Sequence, residues 1–428
     1  MTQTQTVDVA DEFAALNRLY SSGDPVEIDP YPLYRELRDT MPVMEGDILA
    51  KYKVPSQADF LLTGRRIVTL FRYEDVARAM QDDASFSARL ASEGLGPFLG
   101  EGILTAYDGA AHRRLRGPMQ RSLTPAILAG WKQRLVEPQI RAKLEELKPL
   151  GAADLVRAFS LRFPIDVIYR VLGYPDDRAF AERFAGLALR ILSGTPTDPQ
   201  AVQAAHAAAV AAGDELNEMT LEVVRKRRAD GAEGDDMMAR MLRAADGKEP
   251  LDNRTIADLI RATLPAAAET TTRTFGVMLL LLIDHPELLE RLRADRSLMS
   301  RAINETMRFE PTASYVAREA RIDMEFHGVK IPAGTALSLC IGSAQRDERV
   351  FENPDRLDFD RTMRRPILGF GSGAHICLGM PIARLEVEVA MNAVLDILPN
   401  IRRDPDKPAS LIRGLNLRGP DDLHVRWD

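Results

Sequence analysis

The sequence predicts a mainly α protein with a smaller β region, and three observations carry that prediction. From about residue 74 to 310 the chain is dominated by Ala, Leu, Arg and Glu at helical spacing. Strand-like runs lie outside that block, at Ile67–Phe71, Met324–Ile331, Ala336–Ile341 and in the tail Leu411–Trp427. A single helical pattern runs from about Asn253 to Asp284; at about 1.5 Å per residue it spans roughly 45 Å, most of the width of a domain.

Taken in order, residues 1–25 are polar and predict a flexible N-terminal tail, followed by one domain over 26–428. No Pro/Gly/Ser-rich linker, repeat or low-complexity tract divides that span. Asp29-Pro30-Tyr31-Pro32 reads as a turn into a short helix at Leu33–Leu37. Phe60-Leu61-Leu62 and Ile67–Phe71 flank Thr63-Gly64-Arg65-Arg66 and predict a hairpin. A further helix is expected after Gly379-Met380-Pro381, and the tail reads as a closing hairpin.

Composition excludes several functions. The net charge of −7 argues against nucleic acid as a partner, because phosphate contacts demand a basic surface. The longest apolar run, Val277 to Ile283, falls far short of the ~20 residues of a membrane span. Cys340 and Cys377 are the two cysteines, too few for a disulfide framework or an iron–sulfur cluster, and neither belongs to a C-x-x-C zinc pair. A cytoplasmic, monomeric protein is expected.

The chemistry concentrates in Phe370-Gly371-Ser372-Gly373-Ala374-His375-Ile376-Cys377-Leu378-Gly379. Glycines let the backbone turn tightly enough to aim N–H groups at the sulfur. With a metal cation nearby, those donors would depress the thiol from its free value of roughly 8.5. The stretch resembles the haem-ligand loop of the cytochrome P-450 haem-thiolate monooxygenases, with every fixed position filled. The resemblance implies haem b as cofactor, Cys377 as axial ligand to its iron, and Phe370, Gly371, Gly373, His375 and Gly379 as the surrounding cofactor-binding loop.

Within the long central helix, Ala262, Ala266 and Thr270 recur at i, i+4 and i+8, a stripe of small side chains against which a flat macrocycle could lie. Ala266-Ala267-Ala268-Glu269-Thr270-Thr271 is similar to the family's oxygen-activation motif. That similarity implies that Glu269 and Thr270 route protons to dioxygen, although Ala267 stands where the family usually has glycine. Pro265 is also unusual. It removes an N–H, is expected to free the Arg261 carbonyl and kink the helix, and is expected to line the substrate pocket.

Haem propionates need cationic or hydrogen-bonding partners when buried. His112 and Arg116 lie one helical turn apart and resemble the family's haem-flanking helix, with Gly109 and Ala110 where prolines are common. Arg318 and His375 complete the implied set of four. Glu305 and Arg308 form an E-x-x-R at helical spacing about seventy residues before the cysteine loop, and with Arg361 they are similar to the family's buried ion-pair scaffold. These three are assigned to fold and haem retention. Ala262, Pro265, Ser314, Tyr315 and Leu417 are the expected pocket positions, together with the Arg89–Leu104 loop and the Gly186–Thr195 helix end.

The resemblance covers nearly the whole chain. It implies a monooxygenase that inserts one atom of O2 into a small hydrophobic substrate, with electrons from a separate ferredoxin and its NAD(P)H-dependent reductase. Arg113, Arg114, Arg121, Arg364 and Arg365 could form a basic docking patch or simply a solvated surface. A peroxide-driven peroxygenase and a non-catalytic haem-binding sensor or recruitment protein are the alternatives; Glu269 and Thr270 weigh against the first, Cys377 and Thr270 against the second. Residues 44–66 look longer than the corresponding family stretch.

Overall fold

The computed structural model describes residues 9–60, 63–90, 93, 96, 103–192, 199–243 and 251–428. Helices surround the central helix Asn253–Asp284, which begins where the Asp252 carboxylate accepts the Thr255 N–H at 2.9 Å. Phe159, Phe163, Phe275, Leu279 and Met391 are among the buried side chains that tie it to its neighbours. Phe275 meets Phe159 and Phe163 edge-on, at centroid distances of 5.3 and 5.7 Å. Burying each such side chain contributes about 1.5–3 kcal/mol, so this helix is held by packing along its length. It is also the helix among the described residues that is long and apolar enough to cross a membrane, and most of that stretch is buried inside the fold.

The strands are short: β1 (Val43–Glu45), β2 (Ile67–Leu70), β3 (Phe86–Ser87), β4 (Ala152–Asp154), β5 (Tyr315–Ala320), β6 (Met324–Phe326), β7 (Val329–Ile331), β8 (Ala336–Cys340), β9 (Arg402–Arg403), β10 (Ile412–Arg413), β11 (Gly419–Pro420) and β12 (His424–Arg426). The main sheet has the order β1-β2-β8-β5-β3, with β2 and β8 parallel and the other pairs antiparallel. Val68, Leu70, Phe86, Leu337 and Leu339 fill its own core, beside the helical one.

Several expectations need correction. The first 25 residues are not a loose tail: Val9–Tyr20 is a helix that buries Val9, Phe13, Leu16 and Tyr20, while residues 1–8 lie outside the described residues. Its charged residues had suggested solvent, but its apolar side chains recur at helical spacing. β2 pairs with β1, Val43 opposite Leu70, while residues 61 and 62 of the expected partner strand lie outside the described residues. The closing segment forms the β10–β11 hairpin, and its last strand, β12, leaves to pair with β4 and β9. The helix continues without interruption past Pro265, since one missing N–H removes one rung of a ladder that packing sustains on both sides. The Pro265 side chain lies outside the described residues, as does most of the 91–102 stretch.

Candidate active site

The cysteine loop is built by its glycines and by backbone bonds. Gly371 and Gly373 have φ of +74° and +71°, the left-handed region that glycine enters without strain. A Cβ on Gly373 would also come within 2.6 Å of the Met80 carbonyl oxygen, so the loop seats against the helix Tyr73–Gln81 only because that atom is absent. The Cys377 N–H donates to the Phe370 carbonyl at 2.8 Å and the Gly371 N–H to the Leu368 carbonyl at 2.7 Å, closing the turn on itself. Gln81 Nε2 adds a 2.9 Å bond to Ser372 Oγ.

Cys377 is exposed, whereas Cys340 is buried at the end of β8 against Tyr315 and Tyr34. Burial pushes the Cys340 thiol up to about 12. The desolvation that the surrounding loop imposes also raises the Cys377 thiol, against the pull of the Gly379 and Met380 N–H groups and the Arg116 charge. The Gly379 and Met380 N–H groups and the Arg116 charge favour the thiolate, and a bound metal cation would add to them. Gly379 has an ordinary right-handed φ of −76°, and its use is the N–H it directs to the sulfur.

Beside the loop, the His112 and His375 rings lie 4.3 Å apart, tilted by 31°. His112 Nε2 and His375 Nδ1 are buried with no hydrogen-bond partner among the described residues. Desolvation lowers both imidazoles, His375 to about 4 with the Arg318 charge adding to the effect. Arg318 is buried on β5 and donates to the neighbouring Ala317 carbonyl at 2.8 Å, with no carboxylate among the described residues pairing it. An unpaired buried guanidinium and the orphaned His112 nitrogen, joined by His375 Nδ1 once that ring is protonated, suit an anion. The carboxylates of haem are such anions. Arg116 has a different observed partner: its Nη2 donates to the Ile376 carbonyl at 2.7 Å and thus braces the cysteine loop.

Asp108 was not singled out as a site residue, yet it organises this corner. Its carboxylate accepts Ser87 Oγ at 2.5 Å, the Ala88 N–H at 3.2 Å and His375 Nε2 at 3.3 Å, and pairs with Arg321. No local spacing could reveal a hub whose partners lie 20 and 267 positions away.

The central helix leaves one face open. Ala266 is exposed and Ala262 and Thr270 are half-buried, while Arg261, Ala268, Glu269, Thr271 and Thr272 are buried around them. Thr270 Oγ1 donates to the Ala266 carbonyl at 2.8 Å, which holds the hydroxyl in a defined rotamer. Glu269 points off this face, into an ion pair with Arg273 at 2.8 Å in which both side chains are 2% exposed. Burial raises the Glu269 carboxyl, against the Arg273 charge.

Glu305, Arg308 and Arg361 meet as one group. Arg308 grips the carboxylate twice, at 2.7 and 2.8 Å, and Arg361 Nε reaches it at 3.0 Å. The remaining Arg308 donors bond to the Gln345, Pro354 and Arg356 carbonyls.

Two pocket expectations are corrected. Ser314 and Tyr315 are 0% and 3% exposed and face the packing behind the sheet, not an open cleft. Ser314 Oγ donates to the Pro311 carbonyl at 2.8 Å, and the Tyr315 hydroxyl to that of Tyr34 at 2.8 Å. Hydroxyls already paired inside the core are unavailable to a ligand. Leu417 is half-buried at the β10–β11 tip, where Ala313 bridges to it.

A buried unpaired guanidinium beside two histidines on one flank, and on the other an exposed thiol faced by loop N–H groups, fit a metal macrocycle bearing carboxylates. The class that this fold and site define is the haem-thiolate proteins. The chain belongs to the cytochrome P450 family, whose model matches residues 58–398. It is 32% identical over 419 residues to a nocardicin C N-oxygenase of Nocardia uniformis subsp. tsuyamanensis, covering 96% of this chain and 98% of that one. A mycinamicin IV hydroxylase/epoxidase of Micromonospora griseorubida is 31% identical over 407 residues, covering 92% and 94%. Among solved structures, the ligand-free cytochrome P450 TbtJ1 matches at a TM-score of 0.79 and 28% identity, over 95% of this chain and 100% of that one. CYP109E1 from Bacillus megaterium shares the fold at a TM-score of 0.79 and 23% identity, over 94% and 99%. The protein is a cytochrome P450 monooxygenase with haem b as its cofactor, held through a cysteine thiolate.

Proposed function

We propose that Cys377 is the thiolate ligand and that the enzyme inserts one oxygen atom of O2 into a hydrophobic or amphipathic small molecule held against the open face of the central helix. The observation that carries this reading is the stripe Ala262, Ala266 and Thr270, small side chains left exposed or half-buried on a helix whose stretches Ile256–Arg261 and Thr271–Leu282 are buried. Bound haem supplies oxygen activation and transfer. His112, His375 and Arg318 orient it by hydrogen-bonding its carboxylates, and the loop N–H groups keep charge on the sulfur. Thr270 presents its hydroxyl to the open face, and Glu269 replenishes its proton after leaving Arg273. Electrons come from a separate ferredoxin and its NAD(P)H-dependent reductase, and the enzyme works as a soluble cytoplasmic monomer. The names of the relatives support oxygen insertion at nitrogen, at C–H bonds or across double bonds.

Spectral titration of the ferric protein with apolar compounds identifies ligands. Turnover of a hit under labelled O2, with ferredoxin and reductase, is expected to place one labelled atom in the product. A histidine-type carbon monoxide band from the reduced protein would overturn the ligand assignment. Equally fast turnover with hydrogen peroxide alone would favour the peroxygenase reading.

A further inference from the structure

The acid read above as a proton source is almost wholly buried. It accepts a hydrogen bond on Oε1 from Arg273 Nε at 2.9 Å, and Arg273 Nη2 lies 2.8 Å from the same oxygen as an ion-pair contact. Arg273 Nη2 is shared in turn with Asn17 Oδ1 at 2.5 Å, on the N-terminal helix Val9–Tyr20. The Phe13 ring of the same helix covers the guanidinium, with its centroid 5.2 Å away. Behind Phe13 and Asn17 opens a cavity of about 530 Å³, whose wall also includes Ser21, Arg157 and Asp421. Asp421 lies close enough to Arg273 for the two charges to interact. The cavity opens to solvent and carries Ser21, Arg157 and Asp421 on its wall, so it holds water. Asn17 and Arg273 stand in series between that space and the buried Glu269 carboxyl.

We propose that Asn17 is a positioning residue, that it sets where Arg273 holds Glu269, and that the cavity behind it is where Glu269 exchanges protons with solvent. The inference rests on the reading of Glu269 as the proton source. Reduction of O2 to two waters consumes four electrons and four protons, whereas release of hydrogen peroxide consumes two of each. A slow proton supply therefore diverts electrons to peroxide. The Arg273 guanidinium moves between two acceptors, Glu269 and Asn17, and its displacement towards Asn17 frees the carboxyl to turn towards Thr270. The N-terminal helix is also pinned by Glu12, which pairs with Arg190 at 2.7 Å on the neighbouring helix Arg178–Leu192, so Asn17 is held from a fixed base.

The test uses the holoenzyme with ferredoxin, reductase and O2, and no organic substrate. Asn17→Leu plugs the passage and removes the acceptor; Asn17→Ala opens it to water. The first readout is solvent exchange of the Arg273 Nε–H in the resting enzyme, followed by NMR with labelled arginine and assigned by its loss in Arg273→Lys. Asn17→Ala is expected to speed that exchange and Asn17→Leu to slow it, whereas a merely structural role would not move the two in opposite directions. The second readout is the share of electrons released as peroxide, expected to rise about twofold or more in Asn17→Leu and in Glu269→Gln, and no further in the double variant. Exchange that shifts the same way in both Asn17 variants, or peroxide release that changes in Glu269→Gln but not in Asn17→Leu, overturns the route. Peroxide release unchanged in Glu269→Gln overturns the proton-source reading, and the route with it. Should an Asn17 variant fail to fold, Asp421→Asn probes the cavity from another part of its wall; slower exchange supports the route and unchanged exchange overturns it.

Discussion

Among the buried glutamate–arginine groups of the described residues, those of Glu305 and Glu269 differ in how completely each carboxylate is satisfied. Glu305 accepts from Arg308, from Arg361 and from the Asp358 N–H, and Arg308 spends its other donors on three carbonyls. Glu269 accepts a hydrogen bond on Oε1 from Arg273 Nε and an ion-pair contact from Nη2, and that same Nη2 donates to Asn17. A carboxylate with every lone pair engaged has nowhere to go and serves as scaffold. One held by a single divided partner has an alternative position close in energy, as a group that moves protons requires. Exposure alone does not separate them, since the two carboxylate side chains are 1% and 2% exposed. The partner count does.

The largest expected effect breaks the saturated group. Arg308→Ala strips buried Glu305 of its two-pronged partner and the Gln345 and Pro354 carbonyls of their donor, a loss of about 3–5 kcal/mol. Denaturant titration and the haem content of the purified protein check this. Full haem loading with an unchanged unfolding midpoint would show that the group is dispensable.

Next comes Glu269→Gln, which keeps the shape and an acceptor for Arg273 but removes the titratable proton. Turnover is expected to fall about 10²-fold or more, the usual scale of general acid–base assistance, with a smaller stability loss than at Arg308. Product formation per NADH and the unfolding midpoint, measured on the same preparation, place the two glutamates on opposite sides of the contrast. A variant that turns over normally but melts early would make Glu269 a second scaffold.

How much of this was legible in the chain follows from how local each arrangement is. The Cys377 loop, the Glu305–Arg308 spacing and the Ala262–Ala266–Thr270 stripe are written within one or two helical turns or a single glycine turn. The Arg273 partner of Glu269 was equally readable, four residues on, but the pair was read as an acid beside threonines. Asn17, 256 positions from Arg273, and Asp108, 267 from His375, become partners only through tertiary packing, which spacing does not encode. Ser314 and Tyr315 misled for a related reason. Their place in the chain suggested a pocket, while bonds to Pro311 and to Tyr34, 281 positions away, turn them into the core.

A smaller effect sharpens the comparison at the hydroxyl. Thr270→Val keeps the β-branched shape and removes the donor that bonds to the Ala266 carbonyl. Ligand affinity in spectral titration is expected to hold within about threefold, because an apolar group faces the same stripe, while more electrons are lost to peroxide. Equal losses of affinity and coupling would instead make Thr270 a pocket wall.

The smallest expected effect is a pH dependence. Burial raises the Glu269 carboxyl above its ordinary value of 4.5, so between that value and the raised one the folded chain holds a proton that the unfolded chain has released. Stability from this group is therefore complete below 4.5 and is lost as pH rises through the raised value. Arg273 faces the carboxyl and pulls the other way, with Asp421 beyond it partly offsetting that charge, so the window is narrower than burial alone would make it. Glutamine has no proton to lose. Unfolding midpoints at pH 5 and pH 7.5 (assay conditions of about these values suffice) are expected to fall further in the parent than in Glu269→Gln. Parallel changes in the two proteins would mean that the carboxyl stays ionised throughout, which would tie it to Arg273 as firmly as Glu305 is tied to Arg308 and remove the asymmetry between the two groups.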